Sequence, residues 1–487
     1  MARFVLVLVL LGACASSPAT VAPAPPAPWQ PWDAATFARA SAERRPLLVH
    51  MAAAWCHWCH VMERETYTDP TVAALVRERF VPIRIDSDAR PDLADRFADY
   101  AWPGTIILSS DAATILAAYR GFIPPERMVT LLSEALTTKP TTMVVDLEPS
   151  APLDALPWVA RQAELALADR WDPKYFGWGR PKRAPNGAAL GYTCSRADPA
   201  ARTRAAQLLA AQEATLDPVW GGFYQYSETP DWRRPHFEKL VDQQGWMLEG
   251  LALCIRHGVS PERARLQASA ILRWLDGWMT TPEGLVMTAQ DADLDEVSGR
   301  DFYARDDAGR RALGRVPWID THVYARENGL VLAGLAALVE ATDDPMLRAR
   351  GQRLADAARA RWPTLPERDA LVHLDDAAAL GLGLARWAQV SGDAAARAAA
   401  EALWSAALTT FAGDGAALLE SGRDPNAVGL FAVRRAPFDA NVRMARCGRA
   451  LGHEARADAI LGAVATPSAL VDQGSWLGDF LLATAKR

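Results

Sequence analysis

Hydrophobic positions change their period partway along the chain. Trp32 to Ala42 carries the stripe of a short amphipathic helix, and Pro46-Leu47-Leu48-Val49-His50-Met51 is an apolar run of buried-strand length. A helix is expected in the residues that follow Cys56. Asp69-Pro70 then supplies an N-cap with proline at the first helical position, and Val72, Leu75, Val76 and Phe80 recur at helical spacing behind it. Val81, Ile83 and Ile85 alternate as a half-buried strand does. A helical stretch over Asp92 to Tyr100, strands at Ile106–Leu108 and Ile115–Tyr119, and a closing helix over Pro125–Leu136 complete the order β-α-β-α-β-β-α. Beyond a proline-bearing linker at residues 139–157 the period of two disappears. Eleven segments between Leu153 and Ala485 carry helix-period stripes joined by short polar connections, which predicts an all-α domain.

The chemically dense stretch, Trp55-Cys56-His57-Trp58-Cys59-His60, lies between the first strand and its helix. A strand that feeds C-x-x-C at a helix start is the thioredoxin-like arrangement. Cys56 would sit among free backbone N–H groups at a helix N-terminus, which favour its thiolate, so Cys56 is the expected nucleophile and Cys59 the resolving thiol. Pro103, directly before an apolar strand, occupies the place of the cis-proline that faces the dithiol in this fold. His57, when protonated, would stabilise the Cys56 thiolate. His50 stands where thioredoxins carry a buried acid, and is the expected proton acceptor for Cys59. Trp55, Trp58 and Trp102 would flatten and desolvate the surface that meets a substrate.

The same residues satisfy C-x-x-C-H, the c-type haem pattern, but such sites follow a short helix in an all-α domain, whereas a strand precedes this one. Zinc would need two further ligands, and no second Cys/His pair exists. Neither cofactor nor metal is therefore expected.

Composition adds location and exclusions. At 487 residues the chain exceeds one ordinary core, and its net charge of −6 argues against a nucleic-acid footprint. Six cysteines in such a length are no disulfide framework, so Cys194, Cys254 and Cys447 are read as isolated, buried small hydrophobes. Phe4 to Leu11 is apolar but too short to span a bilayer, which is a secretory signal pattern. It ends in Leu11-Gly12-Ala13-Cys14, which resembles the bacterial lipobox, so residues 1–14 are expected to be a signal ending at a lipidated Cys14. Residues 15–31, rich in Ala, Pro and Ser, would form a tether. Ala15 after the cysteine favours the periplasmic face of the outer membrane, by resemblance to other lipoproteins. Exported thiol or disulfide proteins are the expected partners.

Cys56-His57-Trp58-Cys59-His60-Val61-Met62-Glu63 with the Trp102-Pro103 loop resembles the spermatogenesis-associated protein 20-like family of thioredoxin domain-containing proteins. Further matches are Phe176-Gly177-Trp178-Gly179, Trp220-Gly221-Gly222-Phe223-Tyr224, Trp232, Pro235-His236-Phe237-Glu238-Lys239-Leu240, Asp291-Ala292-Asp293, Glu327-Asn328-Gly329-Leu330 and Leu374-Asp375-Asp376. The resemblance implies an α/β thioredoxin-like domain over residues 32–138 followed by an all-α (α/α)6 toroid over 158–487, similar to N-acylglucosamine 2-epimerases. Loops at one end of such a barrel would gather Trp220, Tyr224, Trp232, His236, Glu238, Asp242, Asp291, Asp293 and Asp320. Aromatic rings beside paired carboxylates are what a sugar-processing site needs, with His236 as base and Glu238 as its partner. Thiol–disulfide exchange is thus the first expectation. A carbohydrate-active epimerase or hydrolase with a sugar ligand is the second, and a non-enzymatic binding scaffold the third.

Overall fold

The computed structural model describes residues 28–97, 102–138, 153–179, 181–294, 297–472, 474 and 477–485. Cys14, the signal segment, most of the tether and most of the linker lie outside these residues.

The first domain begins with α1 (Ala34–Glu43), whose N-terminus is capped by Asp33 accepting from the Thr36 amide. It continues with β1 (Leu47–Ala52), α2 (His57–Glu65), α3 (Pro70–Arg79), β2 (Val81–Asp86), α4 (Pro91–Arg96), β3 (Gly104–Leu108), β4 (Ile115–Arg120) and α5 (Pro125–Ala135). The Asp69 carboxylate caps α3 at the Thr71 and Val72 amides. The sheet order is β2-β1-β3-β4, with β1 parallel to β2 and antiparallel to β3. A central strand covered on both faces needs apolar residues without alternation, and all six residues of β1 are buried. Leu47, Val49 and Met51 pack on the α1 and α4 side, with Phe37 and Leu93. Leu48 faces the opposite side, with Met62 of α2, Val72 of α3 and Leu131 of α5. Helix α4 is followed by a buried Phe97, and the last part of the expected helical stretch, residues 98–100, lies outside the described residues.

The end of the expected tether is folded. Gln30 bridges in parallel to Ile83, which extends the sheet by one position, and the Trp29 ring stacks on His50 and meets Tyr67 edge-on. A tryptophan buries too much apolar area to trail in water when a half-covered aromatic surface lies beside it.

The second domain is a barrel of paired helices. Among the described residues, the helices Gly187–Ser195, Val241–Arg256, Ala325–Thr342, Leu374–Ser391, Phe438–Leu451 and Leu477–Thr484 each touch the next, and the last returns to the first. Helices such as Pro199–Ala211, Pro261–Trp274, Pro345–Arg361 and Ala394–Thr410 pack outside this ring. The ring helices are buried on nearly every side, which is why their sequences are apolar all round rather than striped.

One reading needs correction. Cys194 and Cys254 are not isolated: they form a disulfide between the first two ring helices, with Cα atoms 5.0 Å apart and a sequence separation of 60. Helical periodicity shows which face of each helix is apolar but not which residues meet across a crossing, so the pairing was invisible in the pattern. Such a link stabilises by about 2–4 kcal/mol through the unfolded chain it constrains. Cys447 is free and buried, and burial pushes its thiol pKa up.

The first domain sits on the mouth of the barrel. Phe431 enters its core edge-on to Trp32, and Leu430 N–H donates to the Ala112 carbonyl at 2.9 Å. Arg90 of the first domain pairs with Asp424 at 3.0 Å, and Arg96 donates to the Leu430 carbonyl at 2.8 Å.

Candidate functional site

Cys56 is the N-cap of α2, and its Sγ accepts the Cys59 amide at 3.1 Å. The two cysteines are joined as a disulfide, Cα atoms 5.2 Å apart. The Trp102–Pro103 peptide is cis and leads straight into β3, which is paired with β1. Trp55 tilts against Trp102, and its indole N–H donates to Asp88 at 2.8 Å. Trp58 is 41% exposed and leans on His57 and Phe122.

Both cysteines are covered, Cys56 at 4% exposure and Cys59 at 0%. Leu240 and Ala289 of the barrel pack against them. These two residues belong to a small sheet formed by Lys239–Leu240, Ala289–Gln290 and Ile319–Asp320. The Asp-Ala-Asp segment next to it faces the dithiol helix: Asp293 pairs with His57, and Asp291 lies 3.5 Å from His60. Two carboxylates expected to hold a sugar are thus partners of the dithiol helix. The hydrogen bond from Asp293 raises the His57 pKa against the opposing effect of burial. For Asp293 burial acts upward, but the His57 hydrogen bond and charge outweigh it and hold the carboxyl below its usual range.

This pair latches the barrel over the dithiol, and its pH behaviour follows. With a raised folded-state pKa, His57 contributes fully at pH values below the ordinary histidine value, and the contribution fades as pH rises through the folded value. Asp293→Asn removes a half-exposed pair worth about 1 kcal/mol, so alkylation of the reduced dithiol should quicken about five-fold. The gain should shrink in alkaline buffer, where the parent protein loses the pair too; iodoacetamide kinetics corrected for thiolate fraction measure this.

His50 is fully buried, stacked on Trp29, with Nε2 3.3 Å from Glu63 Oε1. Burial lowers its pKa against the opposing effect of Glu63, which favours the neutral imidazole. Arg84 donates to the same Glu63 oxygen at 2.7 Å. Burial raises the Glu63 carboxyl, yet its bonds to His50 and Arg84 prevail and bring it to about 2. A neutral imidazole beside a carboxylate is chemically able to accept a proton.

The barrel residues read as sugar ligands are mostly engaged with one another or with the dithiol helix. Trp220 and Trp232 are 4% and 2% exposed, held through their indole N–H groups by Asp307 and by the Tyr175 carbonyl. Neither ring is free to stack on a ligand. Tyr224 is buried beside Lys239 and Tyr303. His236 stacks on Tyr226, 3.0 Å from Glu228 and 3.6 Å from the buried Glu238. Asp320 accepts from His322 at 2.6 Å.

Asp242 alone among these residues lines the cavity of about 520 Å³ between the two domains. Trp55 and Trp102 form its wall on one side, and Tyr226 and Trp246 on the other. Arg326 stands in it 2.8 Å from Glu327, 3.3 Å from Asp242, 3.5 Å from Asp375 and 4.0 Å from Asp88. Burial pushes the Asp88 carboxyl up to about 7. Asp88, Arg326 and Asp439 were not legible as site residues. The one available signal was that Asp86 and Asp88 follow the carboxyl end of a strand, where α/β sheets place their ligands.

A family model described as "Protein of unknown function, DUF255" matches residues 14–138. Human spermatogenesis-associated protein 20 is 24% identical over 311 residues, which are 54% of this chain and 38% of the human protein. The chain is thus similar to the spermatogenesis-associated protein 20-like proteins over about half of its length. An uncharacterized Caenorhabditis elegans protein is 24% identical over 249 residues, 44% of this chain and 34% of that protein. The matches therefore span little more than a third of the length of these relatives. Among solved structures, the cellobiose 2-epimerase of Spirochaeta thermophila covers 66% of this chain and 86% of its own, at 15% identity and TM-score 0.46. A DsbH oxidoreductase covers 27% of this chain and 96% of its own, at 13% identity and TM-score 0.21. In this chain a thioredoxin-like domain and a helical barrel share one interface, with the dithiol on it.

Proposed function

We propose that this protein exchanges disulfides with exported protein thiols, in the periplasm and tethered through a lipidated Cys14. The observation that carries the reading is the placement of Cys56 at the N-cap of α2, beside Cys59 and the Trp102–Pro103 loop. In the reduced protein the Cys56 thiolate attacks a partner disulfide, forming a mixed disulfide and releasing one partner thiolate, which takes a proton. Cys59, its proton passed to a base, then attacks the Cys56 sulfur and releases the second partner thiolate. The partner gains two electrons and the Cys56–Cys59 bond is restored; the reverse sequence oxidises a dithiol. Neutral His50 is the base on this reading. Because Cys56 is buried in an apolar cluster shared with Leu240 and Ala289 of the barrel, exchange with a protein partner requires that cluster to open.

A Cys59→Ser variant expressed in the periplasm should accumulate mixed disulfides that disappear on reduction and in the Cys56→Ser/Cys59→Ser pair. An empty trap, with Cys56 alkylatable in the same cells, would refute the proposal. Of the residues expected to hold a sugar, Asp242 alone lines the cavity between the domains, so the disulfide-exchange reading is the better supported.

A further inference from the structure

We propose that the protein recognises its exchange partner by an acidic peptide segment, seated where Arg233, Arg234 and Arg300 converge around Pro235 and Phe237. That the partner is a protein rests on the disulfide-exchange reading; the chemistry that selects it is new. These five residues line one surface concavity of the barrel, and none of them is acidic. In a chain of net charge −6, three arginines at one hollow run against the overall balance. Arg233 and Arg300 are exposed, and among the described residues neither side chain has an ion pair within 4 Å. Arg234 reaches Glu228 at 3.3 Å, but that carboxylate also meets His236 at 3.0 Å. Nearby Asp231 and Asp301 accept from the Thr229 and Ser298 hydroxyls instead. Two guanidinium groups are therefore open to the paired oxygens of incoming carboxylates, the geometry that suits them best.

The backbone that presents the arginines is held in place. Buried Trp232 precedes them, its indole N–H on the Tyr175 carbonyl at 2.9 Å. The Arg234 N–H donates to Ser227 Oγ at 3.2 Å, and its carbonyl accepts the Glu228 N–H at 2.9 Å. The Phe237 ring stacks on Tyr303 and meets Tyr224 edge-on. Such a surface loses little further freedom when a ligand binds.

An independent observation is where the concavity lies. The Gly299 N–H, one residue before Arg300, donates to Asp293 at 2.5 Å, and Asp293 pairs with His57 of the dithiol helix. On the other side of His57 stands the half-exposed Trp58, and exposed Arg64 of the same helix adds a further cation that acts on Asp293. A segment held by the arginines thus lies beside the helix that carries Cys56. This position favours a stretch of a protein partner over a free small anion. Opposite charge also steers the encounter, and a basic segment would be repelled.

The test is fluorescence anisotropy on the full chain, with a labelled, cysteine-free hexapeptide rich in Asp and Glu and its Asn/Gln counterpart. The acidic peptide should bind about ten-fold or more tightly at low salt, and Arg233→Glu/Arg300→Glu should erase the preference. If that variant does not fold, Arg233→Gln/Arg300→Gln serves the same purpose. Equal affinity for the two peptides, a preference that survives the substitutions, or tighter binding of inorganic phosphate than of the acidic peptide overturns the proposal. Binding that appears only in Asp295→Asn/Glu296→Gln overturns it too, because the chain's own acidic pair would then be the occupant. The peptide has no cysteine, so the two readings fail separately. An empty Cys59→Ser trap with acidic binding intact refutes exchange and leaves the site, whereas a filled trap without acidic preference refutes the site alone.

Discussion

Asp217→Ala is expected to lower the unfolding free energy by about 3–5 kcal/mol, because it strands two buried cations. Asp217, Lys239 and Arg310 are all fully buried. The carboxylate accepts Lys239 Nζ at 2.7 Å and both Arg310 terminal nitrogens, at 2.7 and 2.9 Å. What surrounds them otherwise is aromatic: Trp220 and Tyr303 lie 4.9 and 5.0 Å from the Arg310 guanidinium, and Tyr224 and Trp274 flank Lys239. Ring faces attract cations, but they do not replace a counter-charge. Lys239→Met should cost less than Asp217→Ala, since it leaves one bidentate pair intact.

The pH dependence carries a definite sign. Burial lowers the Lys239 pKa to about 8 even with Asp217 present. The unfolded chain therefore binds more protons than the folded one between that value and the ordinary lysine value, and stability rises with pH across the interval. Without Asp217 the interval opens further downward, so the deficit of the variant should be larger at about pH 6 than at about pH 9. Urea unfolding at the two pH values measures both numbers. A loss under about 1 kcal/mol at the lower pH would show that the network does not neutralise these charges.

This network also explains motifs whose role the sequence left open. Trp220-Gly221-Gly222 and Pro235-His236-Phe237-Glu238-Lys239-Leu240 looked like parts of a sugar site. In the structure the Gly221 carbonyl accepts Lys239 Nζ at 2.7 Å, and Lys239 anchors the strand whose next residue, Leu240, lies over the dithiol. The first domain was the easier part to read, because β1 is apolar throughout and Val81, Ile83 and Ile85 alternate; both patterns follow from burial within a single element. The position of the dithiol followed from the strand before it and the helix after it. Its partners did not, since His57 and Asp293 meet only once two domains dock. The same holds for Cys194 with Cys254, and for a cavity whose walls come from Trp55 and Trp246. Periodicity reports how buried a face is, never which distant face buries it.

Gly329→Ala should destabilise by about 2 kcal/mol net, the reverse of its effect in an isolated helix. In an exposed helix the change would stabilise by about 1 kcal/mol through propensity. Gly329 lies in the Ala325–Thr342 helix where it crosses Leu374–Ser391, and a Cβ there would fall onto the Ala379 peptide. From the opposite side, a Cβ on Gly383 would meet the Gly329 carbonyl, so the two glycines let these backbones touch. Backbone cannot rotate away as a long side chain can, so the helices must part and every contact along the crossing loosens. Steric cost outweighs propensity about three to one. Gly277→Ala is the matched control, because nothing lies within 4 Å of its Cβ position. The consequence reaches the cavity as well, since Arg326 and Glu327 precede Gly329 within one turn of the same helix. If the two variants unfold at the same urea concentration, the crossing has room for a methyl group and this account of its glycines is wrong.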